Sequence, residues 1–203
     1  MKLPTKKLAT SIGMSVAALA VLALPVATVS AAQDTSTSVI NGIIGSSITV
    51  SSAGPVNINV TPTSGAVQSS AADTVTVNTN NSTGYNLSLQ MNSATRTLAK
   101  GSDTIAAHTG TPASPTALAD NSWGFRVDGL GTFGAGPTTA QNNLATSATT
   151  WAGVPAQSSP TVIKTTSAPA TADTTQVWYA MRADTSKPSG TYTNTVLYTA
   201  ITN

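Results

Sequence analysis

Apolar and polar residues alternate with a period of two in several short runs, the pattern of half-buried β-strands. In VNINV, Val56, Ile58 and Val60 share one face; in TVTVNT, Val75 and Val77 do. Tyr85, Leu87, Leu89 and Met91 line up against Asn86, Ser88 and Gln90. Trp123, Phe125 and Val127 form a further face. In QVWYAMRAD, Val177, Tyr179 and Met181 share one side and Trp178 and Ala180 the other. The pattern is strongest over Gly190 to Ile201, where Tyr192, Val196, Tyr198 and Ala200 share a face. Weaker strands are expected near Ile48 and Ile163. The turn signals Ala53-Gly54-Pro55, Pro62-Thr63-Ser64-Gly65, Thr83-Gly84 and Lys187-Pro188-Ser189-Gly190 punctuate these runs. Short strands with such punctuation predict an all-β fold, a single antiparallel β-sandwich. Gly129 to Ala172 is weakly patterned and reads as a long loop with one or two short strands, one around Trp151. Pro115 to Asp120 is expected to make a single helical turn.

The first 32 residues differ from the rest. The basic MKLPTKK, an apolar stretch from about Ile12 to Val26 and the small residues Val29-Ser30-Ala31-Ala32 follow the order of a secretory signal peptide. The expected organisation is a signal peptide over 1–32, a polar N-terminal segment or linker over 33–45 and a sandwich domain over 46–203. No membrane span is expected after cleavage, which places the mature protein outside the cell or at its surface.

Composition narrows the chemistry. The chain has 203 residues with no Cys, one His and seven acidic residues, all Asp. Disulfides, Cys-ligated metals and a Cys nucleophile are excluded. The formal charge of +2 rests on Lys2, Lys6 and Lys7; without them six basic residues face seven acidic ones. Such a body carries no footprint for nucleic acid. Ser and Thr number 24 and 36, which suits strands and turns.

The candidate motifs are few. Gly129-x-Gly131-x-x-Gly134 matches a dinucleotide fingerprint only in spacing, since no helix or βαβ pattern follows it; it reads as a flexible loop, and no cofactor is expected. His108, in AAHTGTPASP, reads as a solvated loop residue without marked nucleophile or carboxylate partners. No catalytic residue is assigned. Asp120-Asn121, Asp128, Asp173 and Asp184 are weak calcium-ligand candidates, and no metal site is assigned. Lys100, Lys164 and Lys187 are candidates for an isopeptide cross-link. Trp151 and Trp178 are candidate sugar-stacking residues on condition that they are exposed.

The segments VTVNTNNSTGYNLSL, SWGFRVDG, WAGVP and VWYAMRADTSKPSGTYTNTVLYTAITN resemble a group of uncharacterised exported surface proteins of candidate-phylum bacteria. The likeness runs from about Val56 to Asn203. Fimbrial and WxL-type surface domains are distantly similar; the fimbrial cysteines and the W-x-L motif are absent. The resemblance implies a secreted or cell-surface β-sandwich and supplies no functional residues. The function expected is a non-enzymatic, structural or adhesive surface protein, with other surface proteins, itself or glycans as partners. A secreted carbohydrate-binding module using exposed Trp or Tyr is the alternative.

Overall fold

A computed structural model of the chain describes residues 31–135, 139–147 and 149–203. The segment 1–32, expected to be a signal peptide, lies almost wholly outside the described residues. Two compact units are distinguished, Met1–Gly42 and Ile43–Asn203. In the first, residues 31–42 have no regular secondary structure and are exposed.

The second unit is all-β. Its strands are β1 (Ile48–Ser52), β2 (Val67–Thr79), β3 (Tyr85–Met91), β4 (Leu98–Lys100), β5 (Asp103–Ala107), β6 (Ser122–Arg126), β7 (Thr161–Thr165), β8 (Ala170–Ala183) and β9 (Val196–Thr202). A six-stranded sheet has the order β1-β2-β8-β6-β5-β4, and a three-stranded sheet has the order β7-β3-β9. The two pack together as a sandwich. The described residues contain no helix long and apolar enough to cross a membrane. One pairing departs from an antiparallel sandwich: β5 and β6 run parallel, through Ala106↔Ser122 and Ala107↔Trp123. The intervening loop carries the chain back to the start of the sheet, which a hairpin cannot do.

The main core lies between the sheets. Val75, Val77, Tyr85, Leu87, Leu89, Met91, Trp123, Phe125, Val127, Val177 and Tyr179 are buried in it. Each is on the face that its alternation assigns. Met181, Val196 and Tyr198 are half-buried against the same core.

A second, smaller core covers the other face of the large sheet. Trp178 and Ala180 point away from Tyr179 on β8 and pack with Leu118 and Trp151. The weakly patterned region supplies this cover. Gln68 N–H donates to Leu144 C=O at 2.9 Å and Ser70 N–H to Gln141 C=O at 3.0 Å. Ala152 bonds to Phe125, and Trp151 to Thr116. The expected helical turn at 115–120 is therefore replaced by an extended segment, because Thr116 pairs across to Trp151. Gly124 permits the close approach of Ala152; a Cβ there would collide with the Ala152 carbonyl oxygen.

Two predicted strands are changed. Val56–Val60 keeps its alternation, with Val56, Ile58 and Val60 half-buried and Asn57 and Asn59 exposed, but joins neither sheet. Gly190–Ile201 is not one continuous strand. Thr193 exchanges both backbone hydrogen bonds with Ala99 of β4, and β9 begins only at Val196, pairing with β3. The chain changes sheets at Asn194, whose Nδ2 donates to Thr95 C=O (3.1 Å) and Thr97 C=O (2.7 Å).

Candidate functional site

Among the described residues a groove of about 770 Å³ lies at an open side of the sandwich. Its floor includes Trp123, Tyr179 and Met181 from the large sheet, with Leu98 beside them. One wall is the extended run through Val56 and Ile58; the other runs from Gly190 to Tyr198. β1 and β9, the edge strands on this side, lie near one another without a shared ladder.

Both walls present unpaired backbone. Among the described residues, no backbone hydrogen bond joins Val56–Val60 to another segment. On the second wall, Asn92 N–H donates to Thr195 C=O at 2.9 Å, and Asn203 N–H to Gly84 C=O at 3.1 Å. Antiparallel pairing alternates the direction of backbone groups along a strand. Odd-numbered residues of β9 therefore face β3, and the N–H and C=O groups of Val196, Tyr198 and Ala200 face away from it. Tyr192 and Asn194 also make no backbone hydrogen bond among the described residues. The groove thus combines an apolar floor with two strips of extended, unsatisfied backbone, the arrangement that receives an added strand.

Polar groups organise the floor. Asp73 is buried and its Oδ1 accepts Ala53 N–H at 3.1 Å, which ties the end of β1 to β2. The hydroxyls of Tyr179 and Tyr198 are 2.7 Å apart. Burial holds the Tyr179 hydroxyl far above the ordinary tyrosine range. Burial, together with Tyr179 and the neighbouring Asp73, does the same for Tyr198. Both hydroxyls stay protonated at physiological pH. At the rim, the Lys100 ammonium sits 5.6 Å from the Tyr192 ring centre.

The sequence-based candidates lie elsewhere. Trp151 and Trp178 are 1% and 7% exposed, so the condition for sugar stacking is not met by either ring. Trp123 is also buried, and its Nε1–H donates to Arg96 C=O at 2.8 Å. A Trp-based sugar platform is thereby corrected to core packing: the loop that covers the large sheet needs large apolar anchors, and Trp151 and Trp178 fill that role.

His108 is buried rather than solvated. Its Nδ1 accepts Ala119 N–H at 3.4 Å, and its Nε2 lies 2.9 Å from Thr116 Oγ1. These partners fit the neutral imidazole with the proton on Nε2. Burial, opposed only by the bond to Thr116, holds its pKa below the usual histidine value. The Gly129–Gly134 motif is a turn, closed by Gly129 N–H to Gly134 C=O at 2.9 Å, with φ above +50° at Gly129, Gly131 and Gly134.

The calcium candidates are scattered among other partners. Asp120 pairs with Arg182 at 2.5 Å, Asp128 with Arg126 at 2.6 Å and Asp173 with Lys164 at 2.5 Å. Asp184 accepts hydrogen bonds from Ser186 and Asn121. Among the described residues no group of His and Asp side chains is arranged to hold a metal ion. Among the described residues the three isopeptide candidates donate no hydrogen bond to an Asn side chain: Lys100 donates to Ser189 C=O, Lys164 to Asp173, and Lys187 to Thr104 C=O.

Sequence reasoning missed the groove, because an unpaired wall has the same alternation as a paired strand. It also missed Arg126, which is 3% exposed and bonded to Asp128 and Phe133 C=O. Comparison of the chain with protein families, with curated proteins and with solved structures gives no match.

Proposed function

We propose that this is a non-enzymatic, exported cell-surface protein with a structural or adhesive role, in keeping with the surface proteins that its sequence resembles. The observation that carries this reading is the groove walled by two strips of unpaired extended backbone. Such a site recognises an extended polypeptide through main-chain hydrogen bonds and apolar pockets. The low charge of the chain and its abundance of Ser and Thr suit an extracellular β-domain. His108 and the Asp residues support the same reading, since they are engaged in packing, turns and ion pairs.

The test is fractionation of the native cells, with N-terminal sequencing of the recovered protein. Surface or extracellular protein that begins near Gln33 is the expected result. Protein confined to the cell interior with Met1 still attached overturns the reading.

A further inference from the structure

We infer that the groove receives the N-terminal arm of a second copy of this chain, residues Ser38–Ile44, as an added β-strand. The inference rests on the reading of the groove as an assembly site and names its occupant.

The arm has the chemistry that the groove lacks. Val39, Ile40, Ile43 and Ile44 are 83%, 87%, 93% and 90% exposed. Four aliphatic side chains in water over six residues are a standing cost that burial removes. No charged residue lies between Thr35 and Ser47, so burying the arm desolvates no ion. In an extended conformation Ile40 and Ile44 fall on one face with Gly42 between them, and Val39 and Ile43 fall on the other. A strand added beside β9 needs that double character. Its inner face meets Tyr179, Met181, Val196 and Tyr198. Its outer face lies beside Leu197, an exposed aliphatic residue of β9. The lengths also agree: Tyr192–Tyr198 and Ser38–Ile44 are each seven residues, roughly 20 Å at ~3.3 Å per residue.

The geometry at the base of the arm selects a second copy over the arm's own domain. Ser47 N–H donates to Asn80 Oδ1 at 2.7 Å, Asn80 Nδ2 donates to Gly45 C=O at 2.9 Å, and Thr79 Oγ1 donates to Ser47 C=O at 2.8 Å. These bonds extend the Ile48↔Thr79 register of β1 and β2 by one further pair. Gly45–Ser47 is thereby held in line with β1 and leads beyond the end of its sheet. A turn made within Gly45–Ser47 to bring the arm back to its own groove would break these bonds. An arm given to one neighbour and a groove filled by another is a head-to-tail contact, which propagates as an open chain.

The absence of cysteine makes a clean test possible. The full chain is produced in exported form as Leu197→Cys and, separately, as Val39→Cys, Asn41→Cys and Ile43→Cys, all at exposed positions or at the groove rim. Mixing Leu197→Cys with the arm variants under mild oxidation is expected to give a disulfide-linked dimer with at least one of them. The double variant Leu197→Cys/Ile43→Cys is expected to give a ladder of linked oligomers. Light scattering of the unmodified protein should show a mass that rises with concentration. Ile40→Asp/Ile44→Asp should weaken that association by on the order of tenfold or more, with an unchanged thermal midpoint of the β-domain.

A strictly monomeric protein at every concentration overturns the inference. Exclusive intrachain linkage in the double variant also overturns it, by assigning the groove to the chain's own arm. Either failure leaves the surface reading intact, because that reading is decided by cell fractionation; an intracellular location would overturn the latter whatever the oligomeric state.

Discussion

The hydroxyls of Tyr179 on β8 and Tyr198 on β9 meet at 2.7 Å, joining the two sheets by a hydrogen bond at the floor of the groove. The strands share no ladder, so this contact and the apolar packing around it set the spacing of the sheets there. Removing one partner leaves a buried hydroxyl unsatisfied. Tyr198→Phe is expected to cost about 1–3 kcal/mol. The Tyr179→Phe/Tyr198→Phe pair should cost less than the sum of the single changes, since neither hydroxyl is then stranded. Denaturant unfolding of the four proteins measures the coupling; strict additivity would show that the hydroxyls do not cooperate.

His108 predicts the acid side of the stability curve. Burial holds its folded pKa below the unfolded value, with the Thr116 bond opposing. Protonation therefore favours the unfolded chain. The contribution of His108 is complete above the unfolded histidine pKa of ~6.5 and is lost as pH falls from there through the folded pKa. As it is the chain's single histidine, a loss of stability between pH 6.5 and the carboxylate range is expected to flatten in His108→Gln. A Tm-versus-pH profile of both proteins checks this.

The three tryptophans should respond differently to Trp→Phe. Trp123 Nε1–H donates to Arg96 C=O, whereas Nε1 of Trp151 and of Trp178 is buried without a hydrogen-bond partner among the described residues. Trp123→Phe removes a bond and strands a carbonyl oxygen, at about 1–3 kcal/mol beyond the lost volume. Trp151→Phe and Trp178→Phe relieve an unsatisfied donor and should cost less than Trp123→Phe. Chemical denaturation ranks them.

Removal of Gly190–Asn203 should abolish soluble folding. β9 pairs with β3 from Met91↔Val196 to Tyr85↔Thr202, and its loss leaves β3 with β7 as its sole strand partner and uncovers the core. Exposed apolar surface beside a new edge promotes aggregation. Soluble truncated protein with a cooperative melt would show that the large sheet folds without β9.

The sequence by itself determined the buried faces of β2, β3, β6 and β8. Val75, Val77, Tyr85, Leu87, Leu89, Phe125 and Tyr179 are buried as their alternation requires, because side-chain direction in an extended chain is a local property with period two. It also carried the opposed directions of Trp178 and Tyr179. Only the tertiary structure decided what meets each face and which edges stay open. Trp178 is buried because the region around Trp151 folds over the large sheet, and His108 is buried beneath the same region through Thr116 and Ala119. Val56–Val60 and Val75–Val77 alternate alike, yet one is a bare wall and the other a paired strand. Likewise Tyr192 and Tyr198 share one run of alternation, although the chain leaves one sheet for the other at Asn194 between them. Pairing depends on segments distant in sequence and on where side chains such as those of Asn80 and Asn194 pin the backbone, and a local periodicity contains neither.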